Sequence, residues 1–521
     1  MGVITLQSPI ANLPSPINTS LYFPILSPVS IIPPMIENKA VDKLRTLVAS
    51  DNPIMALLGV LIVVLAAGTM VGILFGGLGP IFAIGVLGVL LAAYLMLRST
   101  QWGFVALLGL IILLPYAAFP FKIGFTPTFL DAILLALYGV WFLRVATGTE
   151  TTFTASPLGV PIFAFLAWAV VAFIAGLAHT SLSPTILRNF AEVLLAVMLF
   201  FAVVNQVKTV AQLEQLSQVI LISGGIMSAL GIIFYFIPGN WTIAVLSKLR
   251  VFGYPTDGIL RYIEDNPENP MRAIATSIDP NALGGLLVIL TVIAVAFLFA
   301  KKPVLPRRYL LLITGMMGIL LYLTYSRGSL LGVVAALGVM SLLRYRKLLL
   351  WMLIGAALML ILPQTQLYVS RFLEGIQGAD LATQMRFGEY KDALTLISRY
   401  PLMGVGFSGT PDIDLYLGVS SLYLLIAEEM GAVGLSLYLL ISAVFFTVVY
   451  RTWKRLPAGH RLEAPLMGYS LAVLGAMVSG IFDHFFFNIT FTHLVALYWL
   501  SMGLAMAAVL RAREELEAAD D

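Results

Sequence analysis

The chain has no cysteine and only four histidines among 521 residues. That excludes a disulfide framework, a thiolate nucleophile and a Cys-ligated metal. Charge is also scarce: 11% of residues carry it, where a soluble domain carries about 25%. Hydrophobic residues make up 60% and the mean hydropathy is +0.96. An ordinary soluble domain is thereby excluded, and the composition points to an all-α polytopic membrane protein. Neither a P-loop nor a dinucleotide fingerprint is present, which argues against an ATP-driven pump. No His/Asp/Glu spacing resembles a metal cage. We therefore expect no metal, no cofactor and no nucleic-acid partner.

Residues 1–50 are rich in proline and serine, from Pro9 to Pro34. A basic start is missing and the prolines interrupt any apolar core, so a signal peptide is not expected. Leu6 stands where a myristoylation motif needs a hydroxyl residue. The segment reads as a cytoplasmic arm with a short amphipathic helix near Glu37–Ala49. The polytopic domain occupies 51–521. A membrane span needs about 20 apolar residues. Fourteen stretches qualify as candidates, near 54–76, 79–97, 102–118, 129–147, 157–178, 187–206, 216–237, 281–300, 309–325, 328–345, 347–363, 431–450, 465–482 and 491–510. With the N-terminus inside, the inner ends collect Arg98, Arg144, Lys208, Lys301, Lys302, Arg307, Arg308, Arg344, Arg346, Lys347, Arg451, Lys454, Arg455, Arg461, Arg511 and Arg513. The short outer loops collect only Lys122, Arg188 and Arg327, as the positive-inside rule requires. Both long loops, 238–280 and 364–430, then lie outside and are expected to contain short helices.

The polar chemistry gathers on that outer side. From Arg386 to Leu435 the chain is neither a plain span nor a plain loop. Arg386, Lys391 and Arg399 bring cations, and Pro401, Gly404, Gly406 and Gly409 break the helix. Such a break leaves backbone N–H groups free to meet a ligand. Arg327, in TYSRGSLLG, is either an interfacial arginine beside a glycine turn or a bidentate phosphate ligand. Arg386 has the same two readings. Arg272 joins them from the first loop, although Asp265, Glu268 and Asp279 could pair with it. Arg188 stands four residues before Glu192, so an i,i+4 ion pair competes with a ligand role. Glu428 and Glu429 precede Gly431 among apolar neighbours, where a partly buried carboxyl would suit a general base. His484 follows Asp483 and reads either as a base or as the polar cap of an aromatic interface. Asp412-Ile413-Asp414 is a bare DxD and a weak signal for a metal–diphosphate.

Four stretches in the second half resemble the O-antigen ligase/polymerase family of bacterial membrane glycosyltransferases. TYSRGSLLG is similar to that family's T-x-S-R-G, and SRYPLMGVGFSG to its P-L-x-G-V-G. ATSIDPNALGGLL is similar to D-P-N-x-L-G. SSLYLLIAEEMGAVGL aligns without a gap on H-N-x-Y-L-x-x-x-x-E-x-G-x-x-G-L. One departure matters: Ser420-Ser421 replaces the His-Asn of ligases, whose histidine helps the acceptor attack, and this tilts the reading toward a polymerase.

The resemblance implies a GT-C-like fold in the bacterial inner membrane, with its active face periplasmic or extracellular. The donor would be a glycan on a polyprenyl diphosphate. The acceptor would be a lipid-linked glycan, with membrane lipids around the protein and a chain-length regulator as a possible partner. Transfer would be inverting and metal-independent. Catalytic roles would fall to Glu429, Arg386 and His484. Substrate contacts would fall to Arg327, Arg272, Arg188, Lys391, Gly404, Gly406 and Ser420. A ligase using a different base is one alternative. The other is a small-anion (bicarbonate-type) transporter or accessory protein, but a transporter calls for polar midplane residues and broken helices, and mid-span charge is nearly absent here. A structural scaffold would leave the outer arginines without a purpose.

Overall fold

The computed structural model describes residues 98–409, 415 and 418–520, with scattered positions between 54 and 96. The expected arm with its helix near Glu37–Ala49 and the Asp412-Ile413-Asp414 motif lie outside the described residues. So do the first two expected spans, apart from isolated helical positions such as Ile54 and Leu58. Residues Leu90–Asp521 form one compact unit.

That unit is almost wholly helical. Its first half contains α1 (Thr100–Leu113), α2 (Phe129–Ala146), α3 (Gly159–Gly176), α4 (Pro184–Gln206), α5 (Val210–Phe236) and α6 (Gly239–Ser247). A two-residue ribbon follows, in which β1 (Arg261–Tyr262) pairs antiparallel with β2 (Met271–Arg272) and Arg261 faces Arg272. The second half contains α7 (Pro280–Phe299), α8 (Arg307–Leu323), α9 (Arg327–Leu343), α10 (Arg346–Ile361), α11 (Gln366–Gln377) and α12 (Leu381–Arg399). It ends with α13 (Leu422–Arg455), α14 (Glu463–Ser479) and α15 (Thr492–Asp520). Each expected span from 102 onward coincides with one of these helices.

Among the described residues seven helices, α2 to α5, α7, α13 and α15, are long and apolar enough to cross a bilayer, and an eighth span results if the bent pair formed by α10 and the α11–α12 segment is counted as one. The protein is therefore a multi-pass membrane protein. Local sequence explains where the helices begin. Thr128 and Thr209 each close a capping box, with Asp131 and Gln212. Asp279 accepts from the N–H groups of Asn281 and Ala282, and Pro280 fills the first helical position of α7. The D-P-N sequence is thus a helix start. Two helices form the centre: 89% of the most apolar stretch of α7 and 94% of that of α15 are buried by protein. Helices apolar on every side are what a central position requires. Glycines let α9 and α14 touch, since a Cβ on Gly332 would strike the Gly475 carbonyl.

Candidate functional site

The loops at one end of the bundle fold over the start of α9. A cavity of about 100 Å³ opens there, lined by Arg272, Arg327, Arg371 and Arg386 with Glu264 and Asp380. Four arginines face two carboxylates, so the cavity is positive. A second, apolar groove of about 320 Å³ adjoins it, walled by Leu331, Phe372, Ile376, Phe387, Ile481 and Phe482. Arg327 and Arg386 line both spaces. They stand where a charged chamber meets a hydrocarbon-like channel.

The backbone around the cavity is strained. Five described non-glycine residues have positive φ: Glu264, Asp265, Ala275, Ile278 and Tyr325. All belong to the two segments that carry Arg272 and Arg327. Ile278 is β-branched, so its φ of 59° is costly and persists only where the surroundings over-determine it. Such strain concentrates at functional sites.

The four guanidinium groups are not equivalent. Arg327 commits its fork to Asp380, with Nη1 donating to Oδ2 and Nη2 to Oδ1, each at 2.9 Å. Nη1 also donates to the Arg371 carbonyl at 2.6 Å. Asp380 is the N-cap of α12 and accepts from Thr383 N–H at 3.0 Å. Its hydrogen bonds from Arg327, and then those from Thr383, hold its carboxyl well below the usual carboxylate range against the opposing effect of burial. The pair therefore ties the start of α12 to the start of α9. Arg272 is half-buried, and its desolvation pulls its guanidinium down from its ordinary value. It donates from Nε to the Thr324 carbonyl at 2.8 Å and from Nη2 to Asn281 Oδ1. Arg371 pairs with Glu264 at 2.6 Å and Glu374 at 3.4 Å. Arg386 has the loosest partner, with Asp483 Oδ2 at 3.9 Å from its Nη2. Burial raises the Asp483 carboxyl, and the charges of His484 and Arg386 only partly offset this. Arg386 is the cation with the most capacity left for a ligand.

Other residues singled out in the sequence lie elsewhere. Arg188 pairs with Asp131 and with Glu192, both at 2.9 Å, and also donates to Thr128, so the i,i+4 ion pair is formed and extended. Lys391 is exposed and does not line the cavity. The expectation of free N–H groups at the Gly-rich break is corrected. Val405 and Gly406 donate to the carbonyls of Glu428 and Glu429 at 2.8 and 3.0 Å, and Gly404 donates to Tyr400. These glycines serve close backbone approach instead. Gly404 (φ +70°) lies against Glu428–Glu429, and Gly406 (φ +80°) lies against Gly176. The loop docks where α13 breaks at Gly431 (φ 67°), and Trp168 satisfies the Met430 carbonyl there at 2.9 Å.

Glu428 and Glu429 are buried behind that loop, each with one carboxylate oxygen that has no partner. Neither lines the arginine cavity. His484 turns Nδ1 toward the Val419 carbonyl at 3.0 Å, next to Asp483. Ser420 donates its N–H to Glu389 Oε2 at 2.9 Å, and its carbonyl accepts from the Tyr390 hydroxyl at 3.1 Å. Glu389 and Tyr390 lie one turn after Arg386 on α12. Sequence reasoning did not single out Asp380, Arg371, Glu389 or Tyr390. The Asp380-to-Thr383 spacing was a legible N-cap signal, and Glu389 follows Arg386 by three positions on one helix face.

Residues 310–439 match the family described as O-Antigen ligase. The match covers most of α8, α9 to α12, the Gly-rich loop and the first half of α13, and it supports placing the chain in the O-antigen ligase/polymerase family. No curated protein matches the chain.

Proposed function

We propose, from the premise that residues 310–439 carry an O-antigen ligase domain, that this protein is a membrane glycosyltransferase. It moves a glycan from a polyprenyl diphosphate to an acceptor sugar at the outer face of the bacterial inner membrane. The observation that carries the proposal is the shared wall: Arg327 and Arg386 border both the positive cavity and the apolar groove. Only an amphipathic anion fills both spaces, and a polyprenyl diphosphate is such a molecule. A small inorganic anion would leave the groove unused.

In this reading Arg386 and the exposed part of Arg272 hold the diphosphate, while Arg327 positions α12 through Asp380. The acceptor hydroxyl oxygen attacks the sugar C1 from the face opposite the diphosphate. The C1–O bond to phosphate breaks and its electron pair leaves with the diphosphate, whose growing charge the arginines stabilise. The configuration at C1 inverts. The acceptor proton passes to a carboxylate. Glu389 is our candidate, because it holds the backbone of Ser420, the position where ligases of the family carry histidine. A serine hydroxyl cannot accept that proton near neutral pH, which favours polymerisation over the ligase route.

A deletion strain tests this reading. It should accumulate unpolymerised glycan on the polyprenyl carrier, relieved by the wild-type gene and not by Arg386→Ala. Normal carrier-lipid profiles in the deletion strain would overturn it.

A further inference from the structure

At the far end of the bundle another space opens, of about 1050 Å³. Leu343 borders it, sixteen residues along α9 from Arg327 and therefore about 24 Å away at 1.5 Å per residue. Arg513 borders it from the last third of α15, and Arg451, Lys454 and Arg455 from the end of α13. Its floor is hydrocarbon, including Phe446, Leu466, Met467, Leu471 and Leu474. The Ser470 and Thr447 hydroxyls that line it already donate to the carbonyls of Leu466 and Ala443, at 2.6 and 2.7 Å.

The four cations on the rim face a single carboxylate, Glu517. None of the four forms an ion pair among the described residues. Arg513 donates to Thr452 at 3.2 Å, and the Lys454 ammonium sits 4.8 Å from the Tyr450 ring centre. Three other cations at this end are paired: Arg344 with Glu463 at 2.5 Å, Arg461 with Glu515 at 2.5 Å and Arg511 with Glu514 at 2.9 Å. The rim therefore carries uncompensated positive charge around an apolar floor.

We propose that the cavity binds an anionic glycerophospholipid of the inner leaflet. The acyl chains would lie on the floor and the phosphodiester among Arg451, Arg455 and Arg513. A sugar or nucleotide would meet an apolar floor whose Ser470 and Thr447 hydroxyls are already engaged, and burying its polar groups there would be costly. A zwitterionic lipid would leave the rim charge unbalanced. Basic pockets between spans on the cytoplasmic side suit anionic head groups, and Tyr450 and Trp453 match the interfacial aromatic belt. The inference rests on the proposed membrane orientation and not on the transfer chemistry.

The test is native mass spectrometry of the full chain, purified in a neutral detergent and offered equimolar phosphatidylglycerol and phosphatidylcholine. Wild type should retain phosphatidylglycerol with a preference of about tenfold or more. Arg451→Gln/Arg455→Gln/Arg513→Gln should bring the preference below about threefold. The exposed triple Lys302→Gln/Arg308→Gln/Lys347→Gln removes equal charge at the same end and should keep it. No preference in wild type, or an equal fall in both triples, would overturn the proposal. If the cavity triple fails to fold, Arg513→Gln alone should lower the preference measurably, and an unchanged ratio in that variant would also overturn it.

Discussion

Replacing Asp380 by alanine removes both acceptors of the Arg327 fork and the N-cap of α12. The Asp380 side chain is 2% exposed and that of Arg327 is 20% exposed. Breaking a buried pair from one side costs about 3–5 kcal/mol, because a charge is left without its partner. The lost cap adds roughly 1 kcal/mol. We take about 3 kcal/mol as the lower bound for local opening of α12, which corresponds to roughly a hundredfold rise in the open population. Amide hydrogen exchange of residues 383–390 reads this directly and needs no two-state unfolding of a large membrane protein. The exchange should also depend on acid in a defined direction. The folded carboxyl of Asp380 titrates below its unfolded value, so its stabilisation is fully present above the unfolded pKa of about 3.9. It fades as the pH falls from there through the folded value, so wild type should approach the variant only in strong acid. Exchange in Asp380→Ala within about threefold of wild type at neutral pH would refute the anchoring role of this pair.

Arg386→Ala should lower transfer by about a hundredfold or more with normal expression, and Arg386→Lys should recover little of it, because an ammonium lacks the bidentate fork; steady-state rates on lipid-linked glycan check this. Ser420→Ala should stay within about tenfold of wild type, whereas Glu389→Gln, which keeps an acceptor for the Ser420 N–H, should lose about a hundredfold. Glu429→Gln should be milder than Glu389→Gln, and the reverse order would restore Glu429 as the base. Gly404→Ala should sharply lower the yield of monodisperse protein, since its Cβ would stand 2.5 Å from the Glu428 carbonyl oxygen at a φ of +70°. Gly388→Ala, with open space around it, should be silent in the same chromatographic assay.

Helices were legible from long apolar runs, and the D-P-N start of α7 from its capping chemistry. The grouping of Arg272, Arg327 and Arg386 was legible because the charge pattern of the apolar runs put all three on one side of the expected spans. What those arginines bind was not. Asp380 lies 53 residues from Arg327, and no local periodicity reports a partner at that separation. The glycines misled for a related reason: a φ near +70° at Gly404 reads the same whether the loop greets a ligand or another backbone. Only the docking of 404–406 onto Glu428–Glu429 decides between them, and that contact depends on the break at Gly431.

The central claim is best tested with purified protein and a synthetic oligosaccharide on polyprenyl diphosphate, measuring released polyprenyl diphosphate and glycan length together. The account predicts one diphosphate carrier freed for each glycan joined, in the absence of added metal, and no release by Arg386→Ala. Glycan transfer that continues undiminished in Arg386→Ala, or no transfer by wild type alongside anion uptake into proteoliposomes, would contradict it.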